Sequence, residues 1–426
     1  MKTFPWLKTS LIILFGLLLW NYFDGIPSVP FHPDESTQIY MSADLSSSPD
    51  VLGYVPGQTI GDKWRYRLID SPLSRTWMGW ALNLNNISPN QVDWDWSKDW
   101  DTNQSAGALP SEEALFTARW AVAWVFPLTC LFLYLLAKKL GGWPTAVVTV
   151  ILFAGNALVL IHTRRALAES VLLCMVTALA WLMVDIKSRP WFTAIAAGLA
   201  VNAKQTAFPL AGLAGLEMVL LPKTVEIKKR LVNLTIFLSV ILAVSLALNP
   251  AYWQYPVDAI KEGLRQRQDL SDRIRVDYHT SGNPLEQTVN LISQVFIQPP
   301  AAYDVMNYEE ATRPAVNAYM ARPQNNLFRG FSGGMTMLIL TLSGYFVIWK
   351  QTGRDENGKR MPFLIYSTIT LVCVIMLMIF TSAPFQRYYV ILVPFFSIAQ
   401  AAALVFFLNS AIELIKKRTA VSGRPG

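Results

Sequence analysis

Two adjacent carboxylates, Asp34 and Glu35, follow His32 and Pro33 directly after the first long apolar run of the chain. Neighbouring carboxylates at the rim of an apolar phase repel each other and resist desolvation, so such a pair needs a reason beyond packing. Four basic residues fall at comparable places: Arg164 and Arg165 in one short turn between apolar runs, Lys204 in a second and Arg387 in a third. A carboxylate facing cations has a definite chemistry. In one reading this is an active site, where a carboxylate acts as general base and the basic residues hold an anionic phosphate through charge-assisted hydrogen bonds. The structural alternative is anchoring, in which arginines reach lipid phosphates and acids pair with them. Four basic sites coinciding on one face weigh against anchoring alone.

Other residues near this cluster have weaker claims. His32 beside Asp34 invites a metal, but there is no HExxH and the other histidines, His162 and His279, stand far away in the sequence. A catalytic zinc is therefore not expected, and a Mg²⁺ or Mn²⁺ held by carboxylates alone stays open. Asp93-Trp94-Asp95-Trp96 and Asp99-Trp100-Asp101 alternate acid and indole, which suits either sugar stacking or a loop resting its indoles on the membrane interface. Asp70-Ser71-Pro72-Leu73, after Arg65-Tyr66-Arg67, adds another acid followed by a conformation-fixing proline, and on its own reads as an ordinary turn.

The elements that must position these residues are membrane spans. Of the 426 residues 53% are hydrophobic and 15% are charged, against about 25% charged in a soluble domain. The expected fold is an all-α polytopic membrane protein with about ten spans, near 9–23, 116–137, 144–162, 167–186, 190–203, 206–221, 231–249, 331–349, 362–382 and 389–414. The 190–203 and 206–221 runs are short, as for two tilted helices or one broken one. The first run has a basic flank but no small-residue cleavage site, and its Trp20-Asn21-Tyr22-Phe23 exit suits a retained anchor.

Loop charge orients the spans. Lys2 and Lys8, Lys138 and Lys139, Lys187 and Arg189, Lys223 to Arg230, Lys350 to Arg360 and Lys416 to Arg418 fill every second loop and both termini, which places those on the cytoplasmic side. The net charge of +7 thus belongs to membrane topology, not to nucleic-acid binding. Cys130, Cys174 and Cys373 lie inside apolar runs, so no disulfide framework or thiolate metal site is expected. The reading is one transmembrane domain over 1–426 with two large outer loops, 24–113 and 250–330, and a disordered tail over 419–426. The first loop carries thirteen acids against five basic residues.

In this order the segments resemble the GT-C glycosyltransferases, nearest the dolichyl-phosphate-mannose protein O-mannosyltransferase and aminoarabinose-transferase type. The resemblance rests on Phe31-His32-Pro33-Asp34-Glu35, Asp70-Ser71-Pro72-Leu73, Phe116-Thr117-Ala118-Arg119-Trp120, His162-Thr163-Arg164-Arg165-Ala166-Leu167-Ala168-Glu169, Asn249-Pro250 and Gln386-Arg387-Tyr388-Tyr389-Val390. It implies inverting transfer of a sugar from a polyprenyl-phosphate donor to an acceptor hydroxyl on a protein, lipid or glycan, at the outer membrane face. By that resemblance Asp34 is the general base, and Glu35 assists it or orients the loop. Arg387, Lys204, Arg165 and Arg164 receive the departing phosphate, while Asp70, His32, Arg119 and Tyr388 position substrate or loop. Ser71 departs from the pattern, where a basic residue or second proline is common. Arg75, Arg67 or Arg65 would have to compensate. The absence of outer-loop cysteines and retention signals points to a prokaryotic plasma membrane, not the endoplasmic reticulum. The rival readings are a transporter or flippase of lipid-linked glycans and a GT-C-like glycan ligase or polymerase. Transporters, however, place charge mid-span and often repeat internally.

Overall fold

The computed structural model describes residues 5–46, 53–57, 66–185, 190–220, 226–278, 283–353, 360–381 and 383–422, and among these the regular structure is helical throughout. Arg65, Lys187, Arg189, Lys223, His279, Arg354, Lys359 and residues 423–426 lie outside them. In chain order the helices used below are α1 (Pro5–Asp24), α2 (Pro33–Ser42), α3 (Leu73–Leu84), α4 (Glu112–Ala123), α5 (Phe126–Ala154), α6 (Ala157–Thr163), α7 (Glu169–Val184), α8 (Pro190–Ala203) and α9 (Phe208–Leu220). They continue with α10 (Ile227–Leu248), α11 (Pro256–Asp277), α12 (Pro284–Ile292), α13 (Glu309–Met320), α14 (Gly330–Gln351), α15 (Met361–Phe380) and α16 (Val393–Ser422).

The described residues of each of the ten apolar runs fall largely on helix. Five helical stretches are long and apolar enough to cross a membrane: Glu112–Ala154, Ile227–Leu248, Gly330–Gln351, Met361–Ile379 and Gln386–Thr419. Shorter apolar helices cover Thr9–Asp24, Glu169–Val184, Pro190–Ala203 and Gln205–Leu220. The chain is an integral membrane protein. The runs expected at 116–137 and 144–162 share α5, which breaks at Gly142 (φ 79°, ψ −179°), a conformation glycine tolerates, two residues before Pro144. The short pair at 190–203 and 206–221 is two helices. Lys204 is extended between them (φ −160°, ψ 140°), and a 3₁₀ turn over Gln205–Ala207 starts the return. The expected disordered tail differs over its first half, where α16 runs on to Ser422; its second half, 423–426, lies outside the described residues.

The core is built by α5, α7, α8, α9, α14, α15 and α16, with buried Leu, Val, Phe and many Ala residues. Small side chains let these helices approach closely where lipid-like surfaces supply little hydrophobic drive. The ends of α1 and α6, the start of α4, the turn after α8, and the described parts of segments 24–111 and 249–329 meet at one end of the bundle, here called the loop end.

There α11 follows the C-terminal end of α10 after a 3₁₀ turn at Pro250–Tyr252. Ala259 is buried on α11, and a Cβ on Gly263 would stand 2.7 Å from the Leu68 carbonyl oxygen, so the helix lies tightly on the first loop. Val257, Ile260 and Leu264 form a neighbouring exposed stripe on the same helix.

Candidate active site

The Phe31–Glu35 cluster is a helix start. Pro33 fills the first position of α2, where its missing N–H costs nothing. His32 caps it: its Nδ1 accepts from the Asp34 backbone N–H at 3.1 Å, while its own N–H donates to Glu35 Oε2 at 3.0 Å. The spacing His-x-Asp-Glu thus fixes both carboxylates on the first turn, where the helix dipole favours negative charge.

Their surroundings then diverge. Glu35 is fully buried and accepts from Arg119 Nε and Nη2, each at 2.7 Å, and from the Ala166 N–H at 2.8 Å. With the bond from His32 its acceptor capacity is filled. Arg119 in turn donates to the Val29 carbonyl at 2.9 Å. Glu35 therefore clamps α2 to α4 and to the 164–168 turn. Of the two readings of Glu35, assisting Asp34 or orienting the loop, these four bonds favour the second, because they leave no lone pair for a proton in transit.

Asp34 keeps access. Its Oδ2 meets Arg387 Nη1, and its side chain is 26% exposed. No described residue donates to its Oδ1. Arg387 Nε also stands 3.0 Å from Asp304 Oδ2, and His32 Nε2 reaches the same oxygen at 3.1 Å. Burial opposes charge on Asp34, but Arg387 and His32 outweigh it and hold the carboxyl below the usual range. The same balance, against burial and led by Arg387, places Asp304 well below it. Asp304 itself is fixed through its backbone, its N–H donating to Tyr308 Oη at 3.1 Å and its carbonyl accepting from Tyr278 Oη at 2.9 Å. Gln386 secures the same loop, accepting from the Ala301 N–H at 2.5 Å and donating to the Pro299 carbonyl at 3.1 Å.

Lys204 pairs with Glu169 at 2.5 Å. The Tyr388 ring separates the two cations, with Lys204 Nζ 5.3 Å and Arg387 Cζ 5.4 Å from its centroid. Asp70 accepts from Gln38 Nε2 at 3.2 Å, while Ser71 Oγ donates to the Val201 carbonyl at 2.9 Å and ties this turn to α8. Burial raises the Asp70 carboxyl; Arg267 opposes this and the charge of Asp34 adds to it.

So Asp34, His32, Asp304, Arg387, Tyr388, Lys204 and Glu169 form one connected group, with Asp70 and Gln38 beside it. Arg164 and Arg165 do not face that space. Both are 1% exposed. Arg164 donates to the Tyr22 and Asn21 carbonyls at 2.9 and 2.6 Å, and Arg165 to the Pro30 and Ala302 carbonyls at 3.0 and 2.5 Å. These bonds favour a backbone-holding role for both over the expected phosphate contact, since the carbonyls would otherwise be unsatisfied. Arg67 and Arg75, expected to compensate for Ser71, pair instead with Asp44 at 2.8 and 3.9 Å.

Two groups had no signal strong enough to single them out. Asp304 is a lone acid inside the apolar stretch Ala301–Met306, which is the feature that would have found it. Arg267 lies one turn beyond Gly263 on the face of α11 that packs against the first loop, and makes no hydrogen bond or ion pair with a described residue, although its charge acts on Asp70.

Among the described residues no group of three or more His, Cys, Asp or Glu side chains is arranged as metal ligands. Arg387 bridges Asp34 and Asp304, where a divalent cation shared by those carboxylates would have to sit.

Fold and site together define a helical membrane protein with an acid–base cluster at the loop end of its bundle. No protein-family model and no curated protein matches the sequence. Solved structures do. The chain is similar to ArnT from Cupriavidus metallidurans bound to undecaprenyl phosphate, with a TM-score of 0.53 and 14% identity over 93% of this chain and 60% of that one. The apo state of ArnT gives a TM-score of 0.50 at 14% identity, with the same coverage. The chain therefore spans about three fifths of the ArnT length, and the likeness shows its fold to be of the GT-C type.

Proposed function

We propose that this protein is a membrane glycosyltransferase that moves a sugar from a polyprenyl-phosphate donor to an acceptor hydroxyl, with inversion and with Asp34 as general base. One observation carries the reading. Asp34 and Arg387, 353 residues apart, meet beside Lys204 where an apolar bundle opens into its loops. A lipid-linked phosphate approaching sideways through the bilayer and a hydroxyl arriving from water would meet there.

In that reaction the acceptor oxygen attacks the anomeric carbon as its proton passes to Asp34, and the bond from that carbon to the phosphate oxygen breaks. The electron pair leaves with polyprenyl phosphate, which needs positive charge as it departs. Arg387 and Lys204 supply it, with Arg267 as a nearby cation that pairs with no acid among the described residues. A phosphate that draws Arg387 away from Asp34 also removes the charge that depresses the Asp34 carboxyl, so donor binding would make Asp34 a stronger base. Asp304 and His32 keep Arg387 in place, Tyr388 spaces it from Lys204, and Glu35 with Arg119 fixes the helix start. The acceptor is a protein, lipid or glycan hydroxyl. Basic loops at the opposite end support a site on the outer face of a bacterial or archaeal plasma membrane, within one transmembrane domain. A Mg²⁺ or Mn²⁺ engaged by Asp34 only after Arg387 moves is the alternative electrostatic arrangement.

Release of polyprenyl phosphate from a panel of polyprenyl-phosphate sugars, with and without chelator, tests this. The expected result is release that survives chelation and is lost in Asp34→Asn. Release abolished by chelator in the wild type would favour the cation arrangement. Donor binding with no release from any donor would favour a transporter of lipid-linked glycans.

A further inference from the structure

The first two turns of α2 carry more than Asp34. Thr37 and Gln38 lie three and four residues further on, on the same helical face. Each holds a carboxylate from elsewhere in the first loop. Thr37 Oγ1 donates to Asp93 Oδ1 at 2.7 Å, and Gln38 Nε2 donates to Asp70 Oδ2 at 3.2 Å. Asp93 Oδ1 also accepts from the Trp94 N–H at 2.7 Å, so this carboxylate is fixed at one oxygen. No described residue donates to its Oδ2.

Gln38 supplies an independent sign that a ligand belongs here. It is 7% exposed, and its Oε1 is buried with no donor among the described residues. The bond from its Nε2 to Asp70 directs this amide into the carboxylate group. A buried acceptor left unpaired is costly, so an orphan of this kind calls for an explanation. The open acceptor atoms of Asp93, Gln38 and Asp34 ask for a ligand rich in hydrogen-bond donors. The described side chains are not arranged to hold a metal ion, so a polyol meets that demand better than a cation.

We propose that Asp93, presented by Thr37 beside Asp34, is an acceptor-binding residue and that with Gln38 it selects a hydroxyl-rich saccharide as acceptor. This rests on the glycosyl-transfer reading above. The attacking hydroxyl gives its proton to Asp34 as its oxygen bonds to the anomeric carbon and the phosphate leaves with the electron pair. A neighbouring hydroxyl of the same sugar donates a hydrogen bond to Asp93 and keeps its proton. A serine or threonine side chain offers one hydroxyl and would leave Asp93 and Gln38 unanswered. A sugar ring offers several within a few ångströms.

The test uses the full chain in lipid nanodiscs, a polyprenyl-phosphate sugar that the wild type cleaves, and two acceptor sets: alkyl mono- and disaccharides, and peptides containing serine and threonine. Transfer to saccharides is expected. Asp93→Asn and Thr37→Val should each raise the saccharide KM about tenfold, the scale of one hydrogen bond to a charged group, with kcat and the donor KM within about threefold of wild type. Four outcomes overturn the proposal: transfer to peptides alone, an unchanged saccharide KM in Asp93→Asn, a shift confined to the donor KM (which would assign the pocket to the donor sugar), or no transfer to either set. If the wild type cleaves no polyprenyl-phosphate sugar at all, the glycosyl-transfer reading falls as well. If it cleaves donor but Asp93→Asn changes nothing, only the acceptor assignment falls.

Discussion

Asp34 and Glu35 are neighbours in sequence and opposite in circumstance. Glu35 is sealed, with four donors around its two oxygens and no exposure. Asp34, on the next position of the same helical turn, keeps 26% exposure and an oxygen to which no described residue donates, and its partner Arg387 is shared with Asp304. On the proposed reading one acidic pair divides two tasks: Glu35 builds the helix start, and Asp34 on the same turn takes part in the chemistry. A charge with all its partners contributes rigidity, and a charge with an exchangeable partner can take part in chemistry.

The largest expected effect is on Asp34. Asp34→Asn should lower transfer by about 10²–10⁴-fold, the usual worth of a positioned base, while the protein stays folded. Its affinity for polyprenyl phosphate should rise, because Arg387 loses a competing carboxylate; equilibrium binding to the lipid phosphate checks this. Glu35→Gln should do the reverse. It leaves Arg119 buried without its carboxylate, at about 3–5 kcal/mol of stability, seen as a large drop in unfolding temperature, while turnover per folded molecule changes much less. Should Glu35→Gln fold normally and lose turnover, the division of tasks would be wrong.

Smaller effects sharpen the same contrast. Asp93 ought to make acceptor use depend on pH. Burial lifts its carboxyl to about 6, against the hydrogen bonds from Thr37 and the Trp94 N–H, with the charge of Asp34 adding to the rise and Arg67 opposing it. The carboxylate form accepts the hydroxyl, so the saccharide KM should rise as pH falls through about 6 and be flat there in Asp93→Asn. For stability the sign is opposite: a raised carboxyl favours the folded protein most at low pH and loses that advantage as pH rises through its folded value. Asp304, held well below the usual range, contributes stability at neutral pH that declines as pH falls below the ordinary carboxylate range and is gone once pH passes below its folded value. The smallest effect belongs to the far end of the bundle. Lys139 and Asp185 pair at 2.8 Å with side chains 47% and 30% exposed, and Lys139→Ala should cost about 0–1 kcal/mol by thermal unfolding and leave turnover alone.

Much of the fold was legible because lipid imposes a simple rule. Apolar runs must become helices that satisfy their own backbone, and the described residues of each run largely did. The break at Gly142 and the reversal at Lys204 were marked by Gly-Gly-Trp-Pro and by a polar interruption. Asp34 stood out for the same reason, as charge at an apolar boundary. What the residues could not reveal was who partners whom. Glu35 looked as free as Asp34 until Arg119, 84 positions away, closed on it. Arg164 and Arg165 carried the right charge in the right turn, yet their partners are carbonyls more than a hundred positions distant. Asp304 reaches His32 across 272 positions. No local spacing encodes such contacts; they follow from how the two large loops fold onto one another.

The most direct measurement is the single-turnover rate of polyprenyl-phosphate release by Asp34→Asn, taken at donor occupancy matched to the wild type. The account expects full occupancy with release slowed at least about 100-fold, the lower limit for a lost general base. Release within a few-fold of wild type at equal occupancy would contradict it, because the carboxylate paired with Arg387 would then not be the base.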